Sequence, residues 1–330
     1  MRYFHMALAG LTALVLTALI QPQRALADTY PSRTITIVIP LGAGGAMDNI
    51  ARIIADKLSQ RLHTTVIVEN KPGGGMVIGA NAVAKAAPDG YTLMVAPSGA
   101  YVINPTLYKK LPYDPEKDFV PLSHYADIPF VLVVNPKLPV HSVKELIKYA
   151  KDNPGKLSYA ASTIGAVIHL SGEILKHDAG IAMVSVPYSR GGPAALYDVV
   201  AGNVPVTFAD PSLVPGMIQA GKIRAIGVSS PQRMPNLPDV PTVAEAGVPG
   251  FNAMSWHMIV APAKTPKPIV DKLHDEIKAI IAEPAVHQQM LKLGLIPVDS
   301  PPVAELRKFM ASENARWGKI VKDAGIAGTM

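Results

Sequence analysis

The stretch Ile39-Pro40-Leu41-Gly42-Ala43-Gly44-Gly45-Ala46-Met47-Asp48 constrains this chain most. A β-branched run over 34–39 reads as a strand, and an amphipathic pattern over 47–62 reads as a helix. Ile50, Ile53, Ile54, Leu58 and Leu62 share one face of that helix. The Pro- and Gly-rich turn between them leaves free backbone N–H groups and a positive helix end at the tip of a strand. Such a place suits a small anion, a carboxylate or a phosphate.

Strand and helix patterns then alternate to the end of the chain, which predicts an α/β layered fold with mostly parallel sheets flanked by helices. Strands are expected over 64–69, 91–96, 130–134, 157–161, 183–187, 204–208, 225–229 and 255–261. Helices are expected over 77–86, 143–151, 166–177, 194–201, 268–282, 284–293 and 303–324. The Pro-rich stretch 231–249 reads as a surface excursion. The last helices have nothing to cover unless they return to the first sheet. The expected organisation is therefore discontinuous, with one domain from 28–126 and 253–330 and a second, 127–252, inserted into it. In such sheets ligands sit beyond the carboxyl ends of the strands.

Ahead of this fold, Arg2 and an almost wholly apolar run over 6–20 lead to Ala25-Leu26-Ala27. This reads as a signal peptide over 1–27, cleaved so that the mature chain begins near Asp28. The alternative, an uncleaved anchor, is disfavoured because the run falls short of the ~20 residues a span needs. The expected location is the periplasm. No cysteine occurs in the 330 residues, so neither a lipid on cysteine nor a disulfide assists. The net charge of +6 falls by Arg2 and Arg24 to +4 on processing. That modest excess favours anionic ligands, and it lacks the basic blocks expected for nucleic acid.

Three loops share the design of strand, small-residue turn and helix start: 41–48, 162–169 and 189–198. Converging on one cleft, they would offer Leu41, Ala43, Gly44, Gly45, Ala46 and Met47 from the first domain. Asp48 serves either as a helix cap or as a ligand contact. Ser162 and Thr163 serve either as N-caps or as hydroxyl donors. His169 and Glu173 stand i, i+4, half of a metal site; with no cysteine and no second histidine pair, a loop-ordering or ligand-touching His169 is the favoured reading, and no metal is expected. Arg190, between Ser189 and Gly191, is either a solvated arginine or a bidentate grip on a carboxylate. Tyr188 is a sheet-end aromatic or a stacking face. Ser98 and Tyr101 follow a strand and could reach the cleft.

Nucleotide chemistry fails on detail. Gly42-x-Gly44-x-x-Met47 lacks the third glycine of a dinucleotide fingerprint, and no G-K-[ST] follows any Gly-rich turn. Catalytic motifs are also missing: no G-x-S-x-G, no H-E-x-x-H and no cysteine nucleophile. The balance favours a receptor over an enzyme and calls for no cofactor. A periplasmic hydrolase or isomerase of organic acids, and a receptor feeding a signalling sensor, are the alternatives.

Several stretches together resemble the Bug family, the substrate-binding proteins of tripartite tricarboxylate transporters. They include IPLGAGGAMDNIAR, VIVENKPGGGMVIGANAVAKAAPDGYTLMVA, SYAASTIGAVIHLSGEIL, VPYSRGGPAALYDVVAGNVPVTFAD and LPDVPTVAEAGVPGF. The resemblance implies a two-domain periplasmic binding protein that closes on a small carboxylic acid and works, as a monomer, with membrane permease subunits. It places the carboxylate-holding loop at 41–48 and second-domain ligand loops at 162–169 and 188–193, with Gly191 and Asp210 as further ligand residues. Two departures stand out. The family often has Pro-Phe-Ala-Pro-Gly-Gly where this chain has Leu41 and Gly42-Ala43, and a small residue where it has Arg190. They point to a dicarboxylate whose distal group Arg190 holds. An aromatic diacid between Tyr188 and Tyr101, or a citrate-like acid, is the specific expectation.

Overall fold

The computed structural model of the chain describes residues 30–188 and 191–330. The expected signal peptide and the residues Ser189 and Arg190 lie outside the described residues.

The chain opens as β1 (Ile35–Ile39), α1 (Ala46–Leu62), β2 (Val66–Asn70), α2 (Val77–Ala84) and β3 (Thr92–Pro97). A helical segment, Gly99–Ile103 and then α3 (Asn104–Leu107), leads to β4 (Phe119–Ile128). Two residues later the chain enters a second sheet with β5 (Val131–Val134). There follow α4 (Val143–Asp152), β6 (Ser158–Ala161), α5 (Val167–Ala179), β7 (Val184–Pro187) and α6 (Gly192–Ala201). The strands β8 (Val206–Ala209) and β9 (Arg224–Val228) complete that sheet. The chain then returns as β10 (Ser255–Pro262), α7 (Lys267–Ile281), α8 (Pro284–Lys292), β11 (Ile296–Pro297) and α9 (Val303–Asp323).

The first sheet has the order β11-β4-β10-β3-β1-β2 and the second β7-β6-β8-β5-β9. The fold is α/β with two sheets, but each sheet is mixed where mostly parallel sheets were expected. The ladders β2-β1-β3 and β7-β6-β8 are parallel. The ladders made by β4, β10 and β11, and by β5 and β9, are antiparallel. The reason is connectivity. Parallel neighbours need a helical crossover, and the strands that carry the chain between sheets have none.

Strand β4 gave no signal in the sequence. Nine of its ten residues are buried, so it lacks alternation, and Pro121 argues against a central strand. Pro121 is accommodated where the β4–β10 register slips, beside Val260. The stretch 231–249 is largely exposed, but Val243 is fully buried and its N–H donates to the Val228 carbonyl.

The first core lies between sheet and helices drawn from both parts of the chain. Trp256 on β10 stacks on Tyr101 with ring centroids 5.7 Å apart, and both indole N–H groups of Trp256 and Trp317 donate to Glu313 on α9 at 2.9 Å. Burial pushes the Glu313 carboxyl up, but the Arg316 guanidinium and the two indoles outweigh it and hold it below the usual range.

Beside this cluster His257 of β10 is buried, with Nδ1 3.2 Å from the Tyr125 hydroxyl. Burial, aided by His124, pushes His257 down to about 3 from 6.5. The unfolded chain therefore takes up this proton first as pH falls. Stability is complete above about pH 6.5 and is lost as pH falls towards about 3. Thermal unfolding of the wild type should lose roughly 2–3 kcal/mol from this group between pH 7 and pH 4.5. His257→Gln, which keeps an acceptor for Tyr125, should show a flatter profile; parallel profiles would contradict the assignment.

Candidate functional site

The carboxyl ends of the parallel strands carry the loops of interest. After β1 the chain turns through Pro40 and 41–45, all exposed but for Pro40, into α1. The helix begins on Gly45 with no side-chain cap, so its first N–H groups are open. Asp48 does not face outward. It is buried beneath the loop, its Oδ2 accepting from the Gly44 N–H at 2.9 Å and from Arg52 Nε at 3.1 Å. Its Oδ1 accepts from Arg52 at 3.0 Å and from Asn70 Nδ2 at 3.1 Å, and Asn70 also donates to the Leu41 carbonyl. Burial pushes the Asp48 carboxyl up, but these donors outweigh it and hold it below the ordinary carboxylate range. Of the two sequence readings, the loop fastener is the one the geometry supports.

In the second lobe β6 runs into 162–166 and then α5, which starts on the uncapped Ala166. His169 is buried behind this turn, and its Nδ1 accepts from the Gly165 N–H at 3.1 Å. Burial pushes His169 down, against the opposing Glu173 charge, so the ring is held neutral, as an acceptor must be. Glu173 lies 3.9 Å from Nε2, and among the described residues no third ligand joins them. The turn places Gly165 at φ +79°, and a Cβ there would come within 2.3 Å of Leu107 Cδ2 in the other lobe. At this point the lobes meet across a missing side chain. Helix α6 begins on Gly191, also without a side-chain cap.

These loops enclose a cavity of about 460 Å³ between the two sheets. The first lobe contributes Leu41, Gly42, the turn Pro72–Met76 in part, Pro97, Gly99, Leu107 and Tyr108. From the second come Ser162, Thr163, Ile164, Gly165, the first turn of α5 and Gly191-Gly192. Phe130 and Ser255, on the segments that cross between the lobes, form its floor, and Met330 closes one side. No charged side chain is among the described lining residues. The Ser162 hydroxyl is buried in this wall, the residue being 4% exposed, and has no hydrogen-bond partner among the described residues. A larger cavity of about 720 Å³, lined by residues of α5 and α9 and by 250 and 252, includes none of the loop residues. Its charges are satisfied mutually, as in Lys176–Glu173 at 2.7 Å and Lys319 with Asp323.

Of the residues singled out from sequence, the structure brings Leu41, Ser162, Thr163 and Gly191 to the cavity wall. Ala43, Gly44 and Gly45 stand in the exposed loop beside it, Ala46 starts α1 half-buried, and Met47 is buried in the first turn of α1. Ser98 sits one step behind the wall, its Oγ 3.0 Å from that of Ser255. Tyr101 is a correction: it is a core residue, stacked on Trp256 with its hydroxyl donating to the Met258 carbonyl at 3.0 Å. A fully buried ring packed behind the sheet cannot flank a ligand. Tyr188 packs against the second core and donates to Asp198, and Asp210 accepts from the Ser212 N–H and hydroxyl at the end of β8. Both residues have local structural partners, and neither lines the cavity.

The sequence reading passed over the turn Gly73-Gly74-Gly75, taking it as a strand end. Gly75 adopts φ +59°, and a Cβ on it would lie 2.3 Å from the Tyr108 hydroxyl. That hydroxyl donates to the Gly74 carbonyl at 2.7 Å, and Asn104 Nδ2 to that of Gly75 at 2.9 Å. The run of three glycines was the visible signal. The partners that make it a cavity wall are about thirty residues away.

Two lobes joined by crossing segments, with uncapped helix starts and small-residue turns facing a shared cleft, define a two-domain solute-binding receptor. The family model of the tripartite tricarboxylate transporter family receptor matches residues 50–326, and the chain belongs to that family. BugT of Bordetella pertussis (strain Tohama I) is 37% identical over 300 residues, covering 91% of each chain. The structure of R. palustris Rpa4515 with adipate superposes with a TM-score of 0.80 at 35% identity, over 90% of this chain and 99% of that one. MatC (Rpa3494) from Rhodopseudomonas palustris with bound malate gives 0.76 at 32% identity, over 88% and 100%. The family and these neighbours are receptors, so the hydrolase or isomerase alternative is set aside.

The contact between Gly165 and Leu107 yields a test. Gly165→Ala should lower stability in urea by about 2–3 kcal/mol, combining φ strain with the clash. Gly155→Ala, at φ +73° with open space around it, should cost only about 1 kcal/mol. Equal losses would show that Leu107 is free to move aside.

Proposed function

We propose that this protein is an exported periplasmic receptor that captures a small dicarboxylate between its lobes and delivers it to the membrane permease of a tripartite transporter. The observation that carries this reading is the Ser162 hydroxyl, buried in the cleft wall with no partner among the described residues. An unmade buried hydrogen bond costs roughly 1–3 kcal/mol, and a ligand oxygen would remove that cost. Open N–H groups at Gly45–Met47, at Val167-Ile168 and at Gly192 add donors suited to carboxylates at both ends of the cleft. Between them lie Leu107, Phe130 and Ile164, which suit the methylenes of a diacid. Relatives of the family are bound to adipate and to malate, in keeping with that choice.

In this reading the lobes are 28–126 with 253–330, and 127–252, and the leader 1–27 directs export. Residue Arg190, next in sequence to the cavity-lining Gly191, is assigned to the distal carboxylate. No helix among the described residues is long and apolar enough to cross a membrane. Delivery therefore rests on a separate membrane component.

Calorimetric titration with adipate and with hexanoate tests both assignments. Ser162→Ala should leave the unliganded melting temperature unchanged or higher, because it removes an unsatisfied hydroxyl. It should also weaken adipate by roughly 1–2 kcal/mol, about tenfold. Arg190→Ala should weaken adipate by about 2–5 kcal/mol and hexanoate far less. Adipate affinity untouched in the first variant, or equal losses for both acids in the second, would count against the respective assignment.

A further inference from the structure

We propose that residues 328–330 form a strap that makes the Met330 side chain a wall of the cleft, and that this side chain sets the length of acid accepted. The inference rests on the carboxylate reading above.

The strap is held by backbone, not by chance packing. The Gly328 N–H donates to the Thr106 carbonyl at 3.0 Å, the Met330 N–H to that of Leu107 at 3.3 Å, and the Lys109 N–H to that of Met330 at 2.9 Å. Three bonds along 106–109 fix the residue in a ladder beside the end of α3. Met330 is nevertheless 49% exposed, and it lines the same cavity as its neighbours Leu107 and Tyr108. An isolated exposed apolar residue needs no explanation. One pinned by its own backbone at the mouth of a ligand cavity, beside the place where Leu107 meets Gly165, has a definite position to act from. A thioether on three rotatable bonds fits itself to an aliphatic surface, but carries no charge with which to grip a carboxylate. Its effect therefore falls on the methylenes of the ligand, and so on chain length.

The rear cavity supplies nothing that bears on the acid: its charges pair with one another, and the buried Asn252 Oδ1, which has no partner among the described residues, lies outside the cleft. Ile164 and Leu41 are the other half-exposed apolar residues at the rim. Both sit on turns that already belong to the anion-binding loops, whereas Met330 comes from a segment with no part in them.

Titration of the wild type, Met330→Ala and Met330→Glu with butanedioate, hexanedioate and octanedioate decides the matter. Shortening the side chain should raise the affinity ratio of octanedioate to butanedioate by about threefold to tenfold, at an unchanged melting temperature. The glutamate should weaken all three diacids by about tenfold through like-charge repulsion. Unchanged ratios in a wild-type-like fold would overturn the proposal, as would a uniform loss in Met330→Ala accompanied by a lower melting temperature, which marks a purely structural role. A wild type that binds none of the diacids would sink the functional reading itself, and the inference with it.

Discussion

Ser229 holds the point on which the two-lobed arrangement depends. It is fully buried where the chain passes between the sheets. Its N–H donates to the Phe130 carbonyl at 2.8 Å, its hydroxyl accepts from the Phe130 N–H at 2.8 Å, and its carbonyl accepts from the Ala253 N–H at 3.1 Å. Outgoing and returning segments are thereby tied to each other between β4 and β5 on one side and β9 and β10 on the other. The tie is backbone and one short side chain, and it fixes where the two segments cross. The cleft above it is floored by Phe130 and Ser255, and Leu107 meets Gly165 across it.

From that frame follows the chemistry of the site. The described walls contain hydroxyls, N–H groups and apolar side chains, and no charged side chain. Neutral donors fixed by the fold can solvate a carboxylate without an opposing buried ion, whose own desolvation would cost several kcal/mol when the cleft is empty. Among the described residues, Asp48 and His169 serve instead as fasteners of the loops. Asp48 is saturated by Gly44, Arg52 and Asn70, and neutral His169 receives the Gly165 N–H. These supporting groups stand behind the loops, outside the cavity wall.

Much of this was legible in the sequence where the signal is local. The 3.6-residue periodicity of 47–62 and the small-residue turn before it placed β1, its loop and α1 within a residue or so of their observed bounds. The same local logic found Ser162 and Gly191. What failed was information held by partners distant in sequence. Tyr101 read as a ligand aromatic because only Trp256, more than 150 residues on, shows it to be core. Strand β4 was silent because burial on both faces erases alternation. The glycine run at 73–75 and Met330 face the cleft only through contacts with 104–109. The mixed sheets likewise follow from where the chain crosses between lobes, which no local pattern encodes.

The central claim is that the two lobes grip one acid between them. Ligand can shift the arrangement of the lobes only if it touches both, so small-angle X-ray scattering with and without saturating adipate addresses the claim directly. The account predicts a smaller radius of gyration with adipate, reversed when the acid is dialysed away. Superimposable profiles at a concentration where calorimetry shows full occupancy would contradict it.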